Sequence, residues 1–313
     1  MSGYVFTIPQ WSKPKKPSGN VDNLLKRNDF KLQERDLDIL EFFLNHPFVI
    51  TEQVAKLFYN HCAKPTQNAS RRLKTLYDMG LLWRTRPFVS KGKGTHQYIF
   101  CITKLAYNLI TQVRELDYTD EINFQECDNV VEMSRIAHEL ELNEFCIELI
   151  QKAKEKNLEF NWSGTKRSWQ KITPKTPGSK GYVISPDAMI RVDNNIYHIE
   201  YERYCDKDNF YKKCMKWKRY RQDRAWKELY PKEPIILVVG NKAAGEVVGH
   251  YRRVNSIDQL IPIAKSCNMD DILFLYNEDW RKGIFDAYNV QEEKINLFEI
   301  KEMDIWSKIS NVQ

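Results

Sequence analysis

Three acidic residues stand at the ends of two neighbouring predicted strands in the second half of the chain. Asp187 opens the first strand after Pro186, and Glu200 and Glu202 close the second. Because side chains alternate between the faces of a strand, the two glutamates share one face, and a turn at residues 193–195 brings Asp187 beside them. Carboxylates in this order are typical of metal-dependent phosphodiesterases, in which two acids hold Mg²⁺ and a lysine steadies the attacking water or the phosphate.

That lysine is absent from the strand, because Glu202 occupies its place. A lysine from the basic helix predicted at about residues 209–229 has to reach back instead, and the candidates are Lys212, Lys213 and Lys216. For an active nuclease, the predicted catalytic residues are Asp187, Glu200, Glu202 and Lys216, and the predicted metal ligands are Asp187 and Glu200. The competing interpretation is a fold that does not cleave, in which the acids form ion pairs with basic residues nearby.

A second polar set lies in the first half, on one predicted helix and the hairpin after it. Residues 66–104 contain eight lysines and arginines but only one acid, Asp78. Their side-chain types suit base edges and phosphates, and phosphate binding depends on how many cations are presented together. The predicted DNA-binding residues are Gln67, Asn68, Arg71, Arg72, Lys74, Thr75, Arg84, Arg86, Lys91 and Lys93. The competing interpretation is a solvated charged face on a protein-binding module.

The elements that must position this second set follow a recognisable order. Apolar periodicity and capping residues predict helices at 34–45, 52–59 and from about 66 to 80, strands at 81–85 and 97–102, and a helix at 103–113. Lysines alternate with glycines at residues 91–94, so the hairpin has a basic tip. Three helices followed by such a hairpin are typical of a winged helix-turn-helix.

The second half alternates helices and strands. We predict a long helix at about 130–156, a loop at 164–180, strands at 182–192 and 196–202, the basic helix, a strand at 235–239, a helix at about 243–253 and a strand at 272–276. The predicted organisation is a basic flexible arm (1–33), a winged-helix domain (34–115), a linker (116–129), a mixed α/β domain (130–265) and an acidic C-terminal segment (266–313) that packs on or extends the second domain.

Composition argues against membrane proteins, disulfide-rich proteins and zinc fingers. The formal net charge is +6, and no apolar run is long enough to cross a bilayer, so we expect a cytoplasmic protein without a membrane partner. The seven cysteines are odd in number and contain no Cys-x-x-Cys pair. Neither a disulfide framework nor a zinc finger is predicted, and the cysteines are expected to be reduced and mostly buried.

Several of these motifs, in their order, resemble the replication-relaxation family of Gram-positive plasmids and mobile elements. They are RDLDIL at 35–40, RRLKTLYDMGLL at 71–82, PDA at 186–188 and IEYER at 199–203. The resemblance covers roughly residues 34–255. It implies an α+β protein in which a winged-helix DNA-binding domain precedes a restriction-endonuclease-like domain of the PD-(D/E)xK type.

The resulting functional hypothesis is a sequence-specific double-stranded DNA-binding protein. Such a protein would act in replication control, in DNA processing for transfer or in transcriptional regulation of a plasmid or mobile element. DNA binding needs no cofactor, whereas the first alternative, a nuclease, needs Mg²⁺. The second alternative is a protein-binding adaptor. Besides double-stranded DNA, the partners considered are a second copy of the chain and replication or transfer proteins.

Overall fold

The computed structural model describes residues 11–12, 21–26, 32–86, 97–115, 133–164, 168–173, 180–242, 245–246, 253–254 and 256–300. The chain divides into two compact units, Met1–Ile147 (unit 1) and Glu148–Gln313 (unit 2). Both helices and strands are present, and one sheet is mixed, which confirms the α+β class. Within the described residues, no helix combines the length and the apolar character that a membrane crossing needs.

Unit 1 contains helices that frame a small sheet. Its elements are α1 (Val21–Leu25), α2 (Glu34–Asn45), β1 (Val49–Ile50), α3 (Thr51–Phe58), α4 (Pro65–Asp78), β2 (Leu82–Thr85), β3 (Ile99–Ile102), α5 (Lys104–Val113) and the first part of α6 (Met133–Glu155). The predicted helices are confirmed to within a few residues. Helix α4 begins at Pro65, where the missing N–H is not needed, and α5 is capped by Thr103, whose hydroxyl accepts from the amide of Ala106.

The three-stranded sheet of unit 1 has the order β1-β3-β2 and is antiparallel throughout. Every residue of β3 is buried, because both faces of the sheet are covered. Phe100 and Ile102 join the core formed by α2 to α5. Ile99 and Cys101 pack on the opposite side with Ile136 of α6. The first part of α6 is therefore a component of unit 1, whereas we predicted that the chain changes domain at 116–129, residues outside the described part.

Helix α1 lies within the stretch that we predicted to be a flexible arm. Val21 and Leu24 are buried in the core of unit 1, so the prediction does not hold for these residues. Two apolar residues three positions apart are enough to bury one side of a helical turn. The arm contributes a second contact at Trp11 and Ser12: Ser12 forms a β-bridge with Arg84, and Trp11 stacks on Phe48.

Unit 2 is built around a larger sheet. Besides the end of α6, its elements are β4 (Phe160–Gly164), β5 (Gln170–Ile172), β6 (Tyr182–Ile184), β7 (Ala188–Val192), β8 (Asn195–Glu202), α7 (Lys207–Gln222), a 3₁₀ turn (Ala225–Glu228), β9 (Ile235–Gly240), β10 (Gly245–Glu246), β11 (Arg253–Val254), a second 3₁₀ turn (Ile257–Leu260), α8 (Ile261–Ser266), β12 (Leu273–Tyr276), α9 (Asn277–Trp280), β13 (Asp286–Tyr288) and β14 (Lys294–Asn296).

The seven-stranded sheet of unit 2 has the order β14-β13-β12-β9-β8-β7-β4. Strands β8, β9 and β12 are parallel neighbours, and the remaining pairs are antiparallel. Strands β13 and β14 come from the acidic C-terminal segment, which thus extends this sheet. Helix α7 packs on one face through Phe210, Cys214, Trp217 and Tyr220, in a core that also contains Ile236.

Three predictions for unit 2 need correction. The helix at about 243–253 is wrong: Gly245 pairs with Val254 and Glu246 with Arg253, which suits a stretch rich in glycine and β-branched valine. The predicted loop at 164–180 contains β5, which pairs with β6. The predicted strand at 182–192 is two strands, because it is interrupted at residues 185–187, where proline lacks a donor for the ladder.

The prediction that every cysteine is reduced is wrong for Cys101, which is disulfide-bonded. Pairing depends on which sulfurs the fold brings together, and sequence spacing does not reveal it. The free cysteines among the described residues are Cys62, Cys146, Cys205, Cys214 and Cys267, and all except Cys62 are buried.

Candidate functional site

The structure brings the three predicted acids of unit 2 together. Ala188 pairs with Ile199, so the antiparallel register places Asp187 opposite Glu200 on the face that carries α7. The Asp187 carboxylate accepts a 2.8 Å hydrogen bond from the amide of Tyr201. Glu200 and Glu202 are both buried. We call Asp187, Glu200 and Glu202 the acidic cluster.

Lys213 of α7, and not Lys216, reaches this cluster. Its Nζ donates to Glu200 Oε2 at 2.6 Å and to Glu202 Oε1 at 2.8 Å. Lys212 and Lys216 are exposed on the same helix. Helical phase explains the difference, because Lys213 lies three residues after Phe210 and four before Trp217, both buried. The position of Lys216 therefore does not support the prediction that it is the lysine of this site. The cation comes instead from Lys213, another of the three candidates.

Burial controls the protonation of this site. Removal from water raises the pKa of Glu200 to about 7, the charges of Asp187 and Glu202 add to the effect, and the Lys213 ammonium opposes it. For Lys213, burial disfavours the charged form, but attraction by the three carboxylates outweighs it and raises its pKa. The lysine thus stays protonated and acts as an internal counter-ion for the acids.

The acidic cluster does not fit a metal ion as it is arranged. Lys213 takes one oxygen of each glutamate, and Tyr201 takes one oxygen of Asp187. Among the residues that the structure describes, no three His, Cys, Asp or Glu side chains are placed to hold a metal. Asp187 and Glu200 therefore remain predicted ligands only, and no reaction step is derived through Mg²⁺.

We expect Glu200→Gln to change how stability depends on pH. The folded-state pKa of Glu200 is raised above its usual value of 4.5 to about 7, so the folded protein holds a proton there that the unfolded chain releases. Its contribution to stability is complete below pH 4.5 and is lost as the pH rises through 7. The free energy of unfolding of Glu200→Gln should therefore increase relative to wild type across this window, by no more than about 1.4 kcal/mol per pH unit.

Urea denaturation at several pH values measures this difference. Glu299→Gln is the control, because Glu299 is an exposed acid of unit 2. A difference between Glu200→Gln and wild type that is constant from pH 4.5 to 7 would contradict the assignment.

A neutral polar network lies next to the acidic cluster on the same sheet face. His198 is fully buried against the Trp217 ring, with 5.0 Å between ring centroids, and burial followed by the charge of Arg221 lowers its pKa to about 3. Gln170 accepts from the Tyr220 hydroxyl at 2.7 Å and donates to Tyr230. This packing holds α7, and with it Lys213, in a fixed position over the sheet.

In unit 1, helix α4 separates its residues cleanly by face. Ala69, Leu73, Leu76 and Tyr77 are buried. The predicted DNA-binding residues on the other side are placed as follows: Gln67, Arg71 and Lys74 are exposed, and Asn68, Arg72 and Thr75 are half-buried. Thr75 is engaged with its own helix, since its hydroxyl donates to the Arg71 carbonyl at 3.0 Å.

Arg72 has a different environment from its neighbours. Its guanidinium binds both oxygens of Asp36, through Nε at 2.5 Å and through Nη2, and Asp36 is fully buried. Hydrogen bonding to Asp36, although opposed by burial, raises the pKa of Arg72. The position of Arg72 indicates a tie between α4 and α2, whereas we predicted a DNA contact. Lys74 pairs with Asp78 at 2.5 Å on the exposed surface, where such a pair contributes little.

Arg84 of β2 and Arg86, which follows the end of β2, both lie against aromatic rings. The Arg84 guanidinium is 4.0 Å from the Tyr77 ring centroid and 4.5 Å from that of Tyr98, and Arg86 is 3.8 Å from Tyr98. Such stacking restricts the side chains while leaving edges of the guanidinium available for hydrogen bonds. The predicted tip residues Lys91 and Lys93 lie outside the described residues.

Comparison with protein families identifies the family of the chain. The model of the family described as Replication-relaxation matches residues 40–233, more than half of the chain. The chain belongs to the replication-relaxation family. Membership in the replication-relaxation family points to plasmid replication or DNA processing. No curated protein matches the sequence. The matched region contains α4, β2, the acidic cluster and Lys213.

Proposed function

We propose that unit 1 is a winged helix-turn-helix that binds double-stranded DNA sequence-specifically. In this proposal α4 is the recognition helix, and β2 and β3 form the wing. The protein then acts in replication control, DNA processing for transfer or transcriptional regulation of a plasmid or mobile element. The observation that carries the proposal is the exposed polar face of α4, on a helix whose other face is fixed in the core.

The charges beside α4 support a phosphate-binding role for its surroundings. Arg84 belongs to β2, which directly follows α4 in the chain, and the exposed Arg86 comes immediately after the last residue of β2, Thr85. A duplex needs cations on its backbone to position the protein and polar side chains on base edges to read the sequence. Gln67 and Arg71 provide the side chains for base edges, and Arg86 and Lys74 provide the cations.

Selecting bound duplexes from a random pool tests the proposal and defines the target. With the selected duplex, we expect Arg71→Ala to lower affinity by about 5- to 150-fold if Arg71 reads a base, corresponding to about 1–3 kcal/mol. If Arg71 contacts a phosphate instead, the slope of log affinity against log salt should fall by about one unit. Arg281→Ala is the matched control, because Arg281 is an exposed arginine of unit 2.

Two results would overturn this assignment. Unchanged duplex affinity in both Arg71→Ala and Lys74→Ala would remove α4 as the reader. Failure of the wild-type protein to bind any duplex at low salt would favour the protein-binding adaptor.

A metal-dependent nuclease in unit 2 is the second candidate. The observation that favours it is the convergence of Asp187, Glu200 and a lysine on one sheet face. Metal binding would require Lys213 to leave the glutamates. Incubation with supercoiled plasmid and Mg²⁺ or Mn²⁺ decides the question: nicking that disappears in Asp187→Ala supports the nuclease, and absence of nicking removes it.

A further inference from the structure

The small sheet formed by β5 and β6 has one buried and one exposed face. Gln170, Ile172 and Ile184 point inward, where Ile172 and Ile184 join the core beneath α7. Lys171 is paired with Val183, and both are exposed. Trp169 and Ser185 flank that pair and are exposed as well. We call these four residues, Trp169, Lys171, Val183 and Ser185, the β5–β6 outer face.

Trp169 is the unusual member of this face, because 65% of its surface is exposed, the largest fraction of any large hydrophobic residue in the described chain. Its backbone is nevertheless fixed. The preceding residue, Ser168, is fully buried; its hydroxyl donates to the Pro186 carbonyl at 2.7 Å and its amide to the Gly164 carbonyl at 3.1 Å. The following residue, Gln170, is held by the Tyr220 hydroxyl. An exposed indole on a rigid support stacks on a ligand at little entropic cost.

The charge around Trp169 indicates the sign of that ligand. Among the described residues between 164 and 185, Lys171 and Lys180 are basic and exposed, and none is acidic. Lys171 lies on the same side of β5, two residues and about 7 Å further along the strand. An aromatic ring beside a cation is the combination that binds an unpaired base and its phosphate. A duplex does not offer a free base face, because its bases are stacked on one another.

We propose that the β5–β6 outer face binds single-stranded DNA, with a base stacked on Trp169 and a phosphate on Lys171. The β5–β6 outer face lies close to the start of β7, since the Ser168 hydroxyl donates to the carbonyl of Pro186, the residue before Asp187. This surface belongs to unit 2 and does not depend on duplex binding by α4. It gives the protein a second nucleic-acid ligand, of the kind exposed when a duplex is opened.

Fluorescence anisotropy with a labelled oligo(dT) of about 12 nucleotides at low salt tests the proposal. We expect Trp169→Ala to weaken binding by about 5- to 150-fold, from the contribution of about 1–3 kcal/mol per stacked base, and Trp169→Phe to retain part of the affinity. Lys171→Ala should lower the salt slope by about 0.7. Phe160→Ala and Lys282→Ala are matched exposed controls from unit 2 and should stay within about twofold of wild type.

The same variants separate this proposal from duplex binding by α4. Arg71→Ala should leave oligo(dT) affinity unchanged, and Trp169→Ala should leave affinity for the selected duplex unchanged. Equal loss of both ligands in Trp169→Ala, wild-type affinity for oligo(dT) in that variant, or no binding of oligo(dT) by the wild type would each overturn the proposal. Concentration-dependent self-association abolished by Trp169→Ala, without single-strand binding, would instead identify the face as a contact between copies of the chain.

Discussion

Replacing Lys213 by methionine is expected to destabilise unit 2 by about 3 kcal/mol at neutral pH. The lysine side chain is only 26% exposed, and those of its partners Glu200 and Glu202 are 3% and 10% exposed. Removing the ammonium leaves two buried carboxylates that repel each other, and an uncompensated buried charge typically costs about 3–5 kcal/mol. Protonation of Glu200 limits the loss, because its pKa is already raised.

Urea denaturation of the full chain measures this effect, and hydrogen exchange of the amides in β8 and α7 locates it. Lys212→Met removes the adjacent but exposed lysine and is the matched control, with a change within about 0.5 kcal/mol. Adding Glu200→Gln to Lys213→Met should restore part of the stability, because one of the two buried carboxylates left without a counter-ion is then removed. Equal stabilities for Lys213→Met and Lys212→Met would show that the lysine does not neutralise the acidic cluster.

Asp36→Ala is expected to have a comparable effect in unit 1, about 3 kcal/mol. The carboxylate of Asp36 is 1% exposed, holds the Arg72 guanidinium and also accepts from the amide of Gln33 at 2.6 Å. The substitution therefore leaves a largely buried arginine without its counter-charge and removes the cap of α2. The same denaturation experiment, followed through the amides of α2 and α4, measures it.

Asp38→Ala is the control for this substitution, because Asp38 lies on the same helix, is 49% exposed and pairs with Arg114 at 2.6 Å. We expect a loss of about 1 kcal/mol or less there. A double variant, Asp36→Ala with Arg72→Met, should be more stable than Asp36→Ala alone, because no buried charge remains. If Asp36→Ala were no more destabilising than Asp38→Ala, Arg72 would be available for other partners, including DNA.

Local signals in the sequence were sufficient for most helices and strands. Leu37, Leu40 and Leu44 set the phase of α2, and Thr103 marked the start of α5, because apolar spacing and capping act over a few residues. The face shared by Glu200 and Glu202 also followed from the alternation of β8. The wrong helix at 243–253 had a local pattern as well, but pairing of Gly245 with Val254 depends on chain nine residues away.

The candidate sites were predictable only in part, because some of their contacts join residues that are far apart in the sequence. The choice of Lys213 over Lys216 was within reach, since the buried residues of α7 fix its phase. The tie between Arg72 and Asp36 was not, because the residues are 36 positions apart and both sit on amphipathic helices. The predicted loop at 164–180 concealed Trp169, since a three-residue strand such as β5 is recognised by its partner rather than by its own residues.

Helix α6, whose first part belongs to unit 1 and whose end belongs to unit 2, determines how short a stable fragment of unit 1 can be. A fragment that stops after α5 loses Ile136, which shields Ile99 and Trp83, and Asn143, whose amide caps the Phe48 carbonyl at 3.0 Å. Such a truncation would expose an apolar patch to solvent and promote aggregation. The smallest soluble fragment of unit 1 should therefore continue along α6 to Ile147, the last residue of that unit.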